Sequence, residues 1–135
     1  MGKIIKTVIL LSVILTCNVA FSQKFEPVQK LPDGKALIYI YRIGSMVGAA
    51  VAYPVYANQD EISECALKND SYLYYFAKPG KYSIWDQDGT TDRIVALNVE
   101  AGKTYYVRAN CCEFSLPPLE QAVKEIAKCN KRCKD

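Results

Sequence analysis

The chain has 135 residues, with 17 basic and 14 acidic side chains, six cysteines and no histidine. Half of the residues are apolar, which excludes a disordered tail or a collagenous repeat, and the length suits one domain. Without histidine there is no Ser–His, Cys–His or His–metal arrangement, and the side chain that most readily titrates near neutrality is missing.

Lys3 and Lys6 open the chain, and an apolar run follows from Thr7 to Phe21. The run is shorter than the roughly 20 residues a spanning helix needs. Ala20-Phe21-Ser22 places small residues at −3 and −1 of a cut before Gln23. Residues 1–22 therefore read as a secretory signal peptide, and the protein is expected to be periplasmic or secreted. Cys17 also follows the apolar run, so a lipid anchor at Cys17 is the alternative. Its preceding Ile14-Leu15-Thr16 fits a lipoprotein signal poorly, because such signals favour a smaller residue before the cysteine. Removing Lys3 and Lys6 leaves 15 basic against 14 acidic residues, a net +1. That balance gives no basic face for nucleic acid.

Residues 23–34 form a polar leader ending in the Pro32-Asp33-Gly34 turn signal. Residues 36–42 (ALIYIYR) are apolar, aromatic and β-branched, and too short for a helix, so they predict a strand. Residues 43–48 predict a loop. Residues 49–57 predict a second strand, placed at an edge or bulge by Pro54. Residues 62–67 predict a third. Residues 72–77 and 81–86 flank Pro79-Gly80, which predicts a type II turn and a hairpin. Residues 93–99 and 104–109 follow, separated by Glu100-Ala101-Gly102-Lys103. Turn signals recurring about every 8–12 residues indicate a sandwich or barrel. After Pro117-Pro118 the apolar period lengthens, predicting a helix over residues 118–130 docked through Leu119, Val123 and Ile126. The expected fold is mainly β: an antiparallel β-sandwich of about seven to eight short strands over residues 35–116. A C-terminal helix and cysteine-containing tail close it over residues 117–135.

Five cysteines follow the signal: Cys65, Cys111, Cys112, Cys129 and Cys133. Outside the membrane they are disulfide candidates. An odd count leaves two bridges and a spare thiol as the simplest arrangement. A bridge from Cys129 or Cys133 to Cys65, Cys111 or Cys112 is expected to staple the tail to the sheet. The spacing does not match the paired C-x2–4-C of a four-thiolate zinc site, and C-x-x-C is absent. No metal or other cofactor is expected.

The order of these signals resembles the DUF2846 domain family. The resemblance rests on Ala36-Leu37-Ile38-Tyr39-Ile40-Tyr41-Arg42, on Pro79-Gly80-Lys81-Tyr82, and on Glu100-Ala101-Gly102-Lys103-Thr104-Tyr105-Tyr106-Val107. It spans about residues 33–110. It implies a small secreted or lipid-anchored bacterial β-sandwich, with no reaction and no catalytic residues to carry over.

All ten tyrosines lie after the signal. Tyr39, Tyr41, Tyr74, Trp85 and Tyr106 are candidate binding aromatics for a glycan or protein partner in the envelope, against the alternative that they fill the core. Asp86-x-Asp88-Gly89-x-x-Asp92 gathers carboxylates in one turn but lacks the spacing and late glutamate of a calcium loop. Arg42 and Arg108 form a candidate anion clamp. The overall expectation is a non-catalytic exported module with no nucleic-acid partner, and a membrane association only through Cys17. The alternative is a disulfide-stapled inhibitor or immunity-type protein acting on an envelope enzyme, with residues 43–48 as its loop.

Overall fold

The computed structural model describes residues 24–63, 65–86, 93–110 and 113–131. The predicted signal peptide, most of the acidic turn, Cys111, Cys112 and Cys133 lie outside them.

The centre is strand β1, Ala36–Arg42, and all seven of its residues are buried. A strand that is apolar on both faces must be covered on both faces, and β1 is. It pairs antiparallel with β4 (Ser71–Ala77) and parallel with β7 (Thr104–Ala109). β8 (Phe114–Ser115) adds to the β7 edge, and β9 (Asn130–Lys131) pairs parallel with β4. This five-stranded sheet runs β8-β7-β1-β4-β9. The second sheet runs β3-β2-β5-β6, from Asp60–Glu61, Val55–Ala57, Gly80–Asp86 and Ile94–Val99. The two sheets share one core. Ile38, Ile40, Leu73 and Val107 from the first meet Val55, Ile84, Leu97 and Val99 from the second.

The protein is thus mainly β, with two sheets and one C-terminal helix, but the wholly antiparallel pattern does not hold. β1–β7 and β4–β9 are parallel pairs: the chain passes through the other sheet between β1 and β7, and it reaches β9 through the C-terminal helix. The hairpin expected around Pro79-Gly80 is a corner instead. β4 lies in one sheet and β5 in the other, and Gly80 turns between them at φ +150°, open mainly to glycine. Tyr82 braces the corner by donating its hydroxyl to the Lys78 carbonyl at 2.7 Å. Both strands carry an apolar face, and both faces are satisfied across the sandwich rather than side by side.

Two further strands are shorter than expected. Of residues 49–57, only Val55–Ala57 form a strand, preceded by an isolated bridge from Tyr53 to Leu67. Residues 46–51 turn twice, with Ala49 N–H on the Met46 carbonyl and Val51 N–H on that of Gly48. Among the described residues of 62–67 no strand forms: β3 ends at Glu61, Ile62 N–H still reaches the Val55 carbonyl at 2.9 Å, and Leu67 makes the isolated bridge to Tyr53.

Helix α1 covers Leu119–Ile126, shorter than residues 118–130, and Asn130 leaves it to join β4. Its docking face is also different: Ala122 and Ile126 are fully buried, whereas Leu119 is 65% and Val123 45% exposed. Among the described residues no helix is long and apolar enough to cross a membrane.

Candidate functional site

Strand alternation sends Leu37, Tyr39 and Tyr41 of β1 away from the sandwich core. Tyr72, Tyr74 and Phe76 of β4 and Tyr106 of β7 lie beside them on the same outer face. Phe25, Val28 and Leu31 of the leader and Ala122, Ile126 and Cys129 of the C-terminal segment cover it, making a second core. Tyr39 is its hub. Its ring stacks on Tyr106 at 5.3 Å and meets Phe25, Tyr72 and Tyr74 edge-on, and its hydroxyl accepts the Val28 N–H at 2.8 Å. Burial raises the pKa of Tyr39, Tyr72 and Tyr106. Tyr41 is raised further. Burial is the first cause, and the Glu125 carboxylate that accepts its hydroxyl at 2.8 Å is the second.

Glu125 also accepts from Gln121 at 2.6 Å and pairs with Arg108 Nε at 3.3 Å. One carboxylate thus ties the helix to β1 and β7. Arg108 and Arg42 lie on opposite faces of the sheet, so they do not form an anion clamp. Arg42 points inward, is 2% exposed, and donates to the carbonyls of Val51 and Gly48, each at 2.5 Å. Its guanidinium also lies 5.3 Å from the Tyr53 ring centre, with that of Arg93 at 5.0 Å from the same ring. Asp86, the described member of the acidic turn, is buried and ion-paired with Arg93, which withdraws it from calcium binding. Among the described residues no cluster of metal-ligating side chains occurs.

The candidate aromatics do not form one platform. Tyr39 and Tyr41 are 2% and 0% exposed, so their rings are closed to a ligand. Tyr74 and Tyr106 are half-buried at the margin of the covered face. There a cleft of about 250 Å³ opens between Lys24, Glu26, Tyr72, Tyr74 and Lys131. Trp85 stands on the other sheet. It stacks on its cross-strand partner Tyr56 at 4.5 Å, and its indole N–H donates to the Asn58 carbonyl at 2.6 Å. Beside the pair lie exposed Ile94, Ala96 and Asn98 of β6. Tyr56 escaped the sequence reading; its register opposite Trp85 was the missing information.

Cys129 is a free, fully buried thiol. The tail is therefore not stapled through Cys129. Its S–H lies 3.5 Å from the Arg42 carbonyl, and the neighbouring backbone already holds the segment through Asn130 N–H to the Asp70 carbonyl at 3.0 Å. Burial, with Asp70 and Glu125 nearby, pushes the thiol pKa up to about 12.

These features define a small two-sheet β domain with one outer face sealed by its own flanking segments and, among the described residues, the other left uncovered. Residues 32–121 match the family described as "Protein of unknown function (DUF2846)", and the chain belongs to it. No curated protein matches.

Proposed function

We propose that the chain is an exported, non-catalytic β-sandwich module that binds a protein partner in the envelope through the open face of its four-stranded sheet. The observation that carries this reading is the contrast between the two outer faces. The tyrosine-rich face is covered by the leader and α1, whereas the Tyr56–Trp85 stack and exposed Ile94 have no covering segment among the described residues. Aromatic side chains at a surface favour contact because they bury large area at low entropic cost. Export is supported by the signal-like residues 1–22, and N-terminal sequencing should begin at Gln23. Disulfide formation in that compartment centres on Cys65, which is not a free thiol. The Tyr53–Leu67 bridge and the Tyr53 hydroxyl on the Asn110 carbonyl at 3.2 Å bring the neighbourhood of Cys65 towards the residue that precedes Cys111 and Cys112. Cys65 paired with one of those two is the bridge this geometry supports.

The test is capture from envelope extract on immobilised protein, compared with Trp85→Ala and Ile94→Asp. Stoichiometric retention of one protein that both variants lose supports the reading. Retention unchanged in both, or binding only on a glycan array, overturns it.

A further inference from the structure

A strand at the edge of a sheet leaves half of its backbone groups unpaired, and proteins blunt such edges with short strands, charges or prolines. Among the described strands, three of the four edges are blunted in this way. β3, β8 and β9 are each two residues long. β3 is Asp60–Glu61, acidic and exposed, and Pro117-Pro118 follow soon after β8. β6 is the exception. It runs for six residues, Ile94–Val99, with no charge and no proline, and it ends the order β3-β2-β5-β6.

The register shows which groups of β6 face the free edge. Asn58, just past β2, donates its N–H to the Ser83 carbonyl at 2.8 Å, so the backbones of Ser83 and Trp85 face β2. Bonded and non-bonded positions alternate along an antiparallel ladder. Gly80, Tyr82 and Ile84 therefore face β6, and their partners Val99, Leu97 and Val95 direct their backbone groups into the sheet. Ile94, Ala96 and Asn98 direct theirs outward. β8 of the facing sheet approaches β6 but pairs with β7. Among the described residues the outward groups have no hydrogen-bond partner. Such a ladder is completed by an extended strand. The strand that fits is β6 of a second copy. Set antiparallel with Ala96 opposite its own counterpart, Ile94 meets the partner's Asn98, and all three outward residues fall in bonded pairs that exchange about six hydrogen bonds. The residue on the twofold axis is alanine, so no bulk crowds it. No like charges are opposed, because β6 has none, and Glu100 just beyond it is paired with Lys103. On the inner side Val95 comes opposite the partner's Leu97, which continues the apolar layer of the core.

We propose that two copies of the chain associate through β6, antiparallel and with Ala96 on the twofold axis, joining their four-stranded sheets into one of eight strands. The contact is isologous, so it closes at the dimer. It goes beyond the binding role of the Tyr56–Trp85 face, because it runs through the backbone of the edge and leaves that stack uncovered. The twofold axis stands perpendicular to the joined sheet, so both stacks lie on the same outer side.

The full chain, purified from the exported fraction, is examined by sedimentation velocity from low micromolar to near-millimolar concentration and should show a reversible monomer–dimer equilibrium. Ala96→Pro removes an outward N–H and no bond to β5, and should weaken the dimer about tenfold or more. Ala96→Lys sets two ammonium groups side by side at the axis and should weaken it to a similar extent, less so in high salt. Circular dichroism shows that each variant is folded, and the lysine variant repeats the test without altering the backbone. Under mild oxidation Ala96→Cys should link two chains through the substituted positions, because opposed bonded residues have Cα atoms about 5.5 Å apart. Asn98→Cys should not, since its two copies stand about four residues apart along the ladder, roughly 13 Å. Peptide mapping identifies the linked positions. Trp85→Ala should leave the dimer unchanged, which separates this proposal from the partner-binding role of that residue. A monomer at every concentration overturns the proposal. So does a dimer that Ala96→Pro and Ala96→Lys leave intact, or one that Asn98→Cys links as readily as Ala96→Cys.

Discussion

Arg42→Met is the substitution that most directly tests how the turns at residues 46–51 are held. Methionine keeps much of the stem that runs through the core and removes the guanidinium. The loss comprises two hydrogen bonds from a charged donor, each about 1.5–3 kcal/mol, and a ring contact with Tyr53 of about 1 kcal/mol. Two effects offset it. Among the described residues no carboxylate pairs with Arg42, so removing it also removes the cost of desolvating a cation. The released carbonyls belong to a surface loop, where water replaces the lost donors. The net destabilisation expected from these opposing terms is about 1–3 kcal/mol. The local effect is larger than the global one. Amide exchange at Ala49 and Val51, whose N–H groups close the two turns, should accelerate at least tenfold, while amides of β1 and β4 follow global unfolding. Arg42→Lys should not restore protection at both positions, because a single ammonium does not reproduce the fork that spans two carbonyls. Urea unfolding and exchange mass spectrometry read the two quantities. A change below about 0.5 kcal/mol, with loop exchange unaltered, would refute the clamp.

On α1, Ile126→Ala should cost about 2–5 kcal/mol, as buried large-to-small changes do, whereas Val123→Ala should stay within about 0.5 kcal/mol; equal costs in urea unfolding would mean that the helix docks by another face. Stability should fall as pH rises above about 9, because the unfolded chain releases protons from Cys129, and then from tyrosines, that the folded chain retains up to higher pH. The Cys129 contribution is fully present below pH 9 and is lost towards pH 12, so Cys129→Ala should flatten the fall between those limits; an unchanged slope in pH-dependent unfolding would contradict the buried neutral thiol. Non-reducing peptide mapping of exported protein should find Cys65 joined to Cys111 or Cys112 and Cys129 unmodified, and a Cys65–Cys133 pair would contradict this.

What the sequence disclosed depended on whether local chemistry or long-range register decides the outcome. Residues 36–42 read as a strand because they are apolar, aromatic and β-branched and too short for a helix, and the structure agrees to the residue. The ends of β4, β5 and β7 were nearly as legible, since turn residues bracket them. Pro79-Gly80 shows where that legibility stops. The dipeptide specifies a change of direction, but a hairpin and a corner between sheets share the same local signal. Which one forms depends on whether Leu73 and Ile84 face each other across a core, and that is a contact between distant strands. The tail failed for a similar reason. Leu119, Val123 and Ile126 follow helical spacing, but the helix docks through Ala122 and Ile126 and leaves Leu119 and Val123 outside, and Asn130 pairs with Ser71 instead of continuing it. Among the candidate aromatics, alternation put Tyr39 and Tyr41 on one face, as the residues imply. Only the leader and helix, whose positions the strand pattern does not encode, turned that face into a second core.

The extent of the family match bears on that second core. Matching residues run from 32 to 121 and include the strands of both sheets except β9. Phe25, Val28 and Leu31 precede the matched stretch, and Ala122, Ile126 and Cys129 follow it. The residues that cover the tyrosine-rich face thus lie just outside the matched stretch. Their removal would leave Leu37, Tyr39, Tyr41 and Tyr72 on an open sheet, a patch that a monomer in water rarely tolerates. The two flanks hold each other as well as the sheet. Phe25 N–H donates to the Cys129 carbonyl at 3.0 Å, and Lys24 bridges to Asn130. A cut before Gln23 leaves this brace intact, whereas one a few residues later would remove Lys24 and Phe25 and loosen the C-terminal segment with them. The position of the proposed export cut and the closure of the aromatic face would therefore be coupled through Lys24 and Phe25.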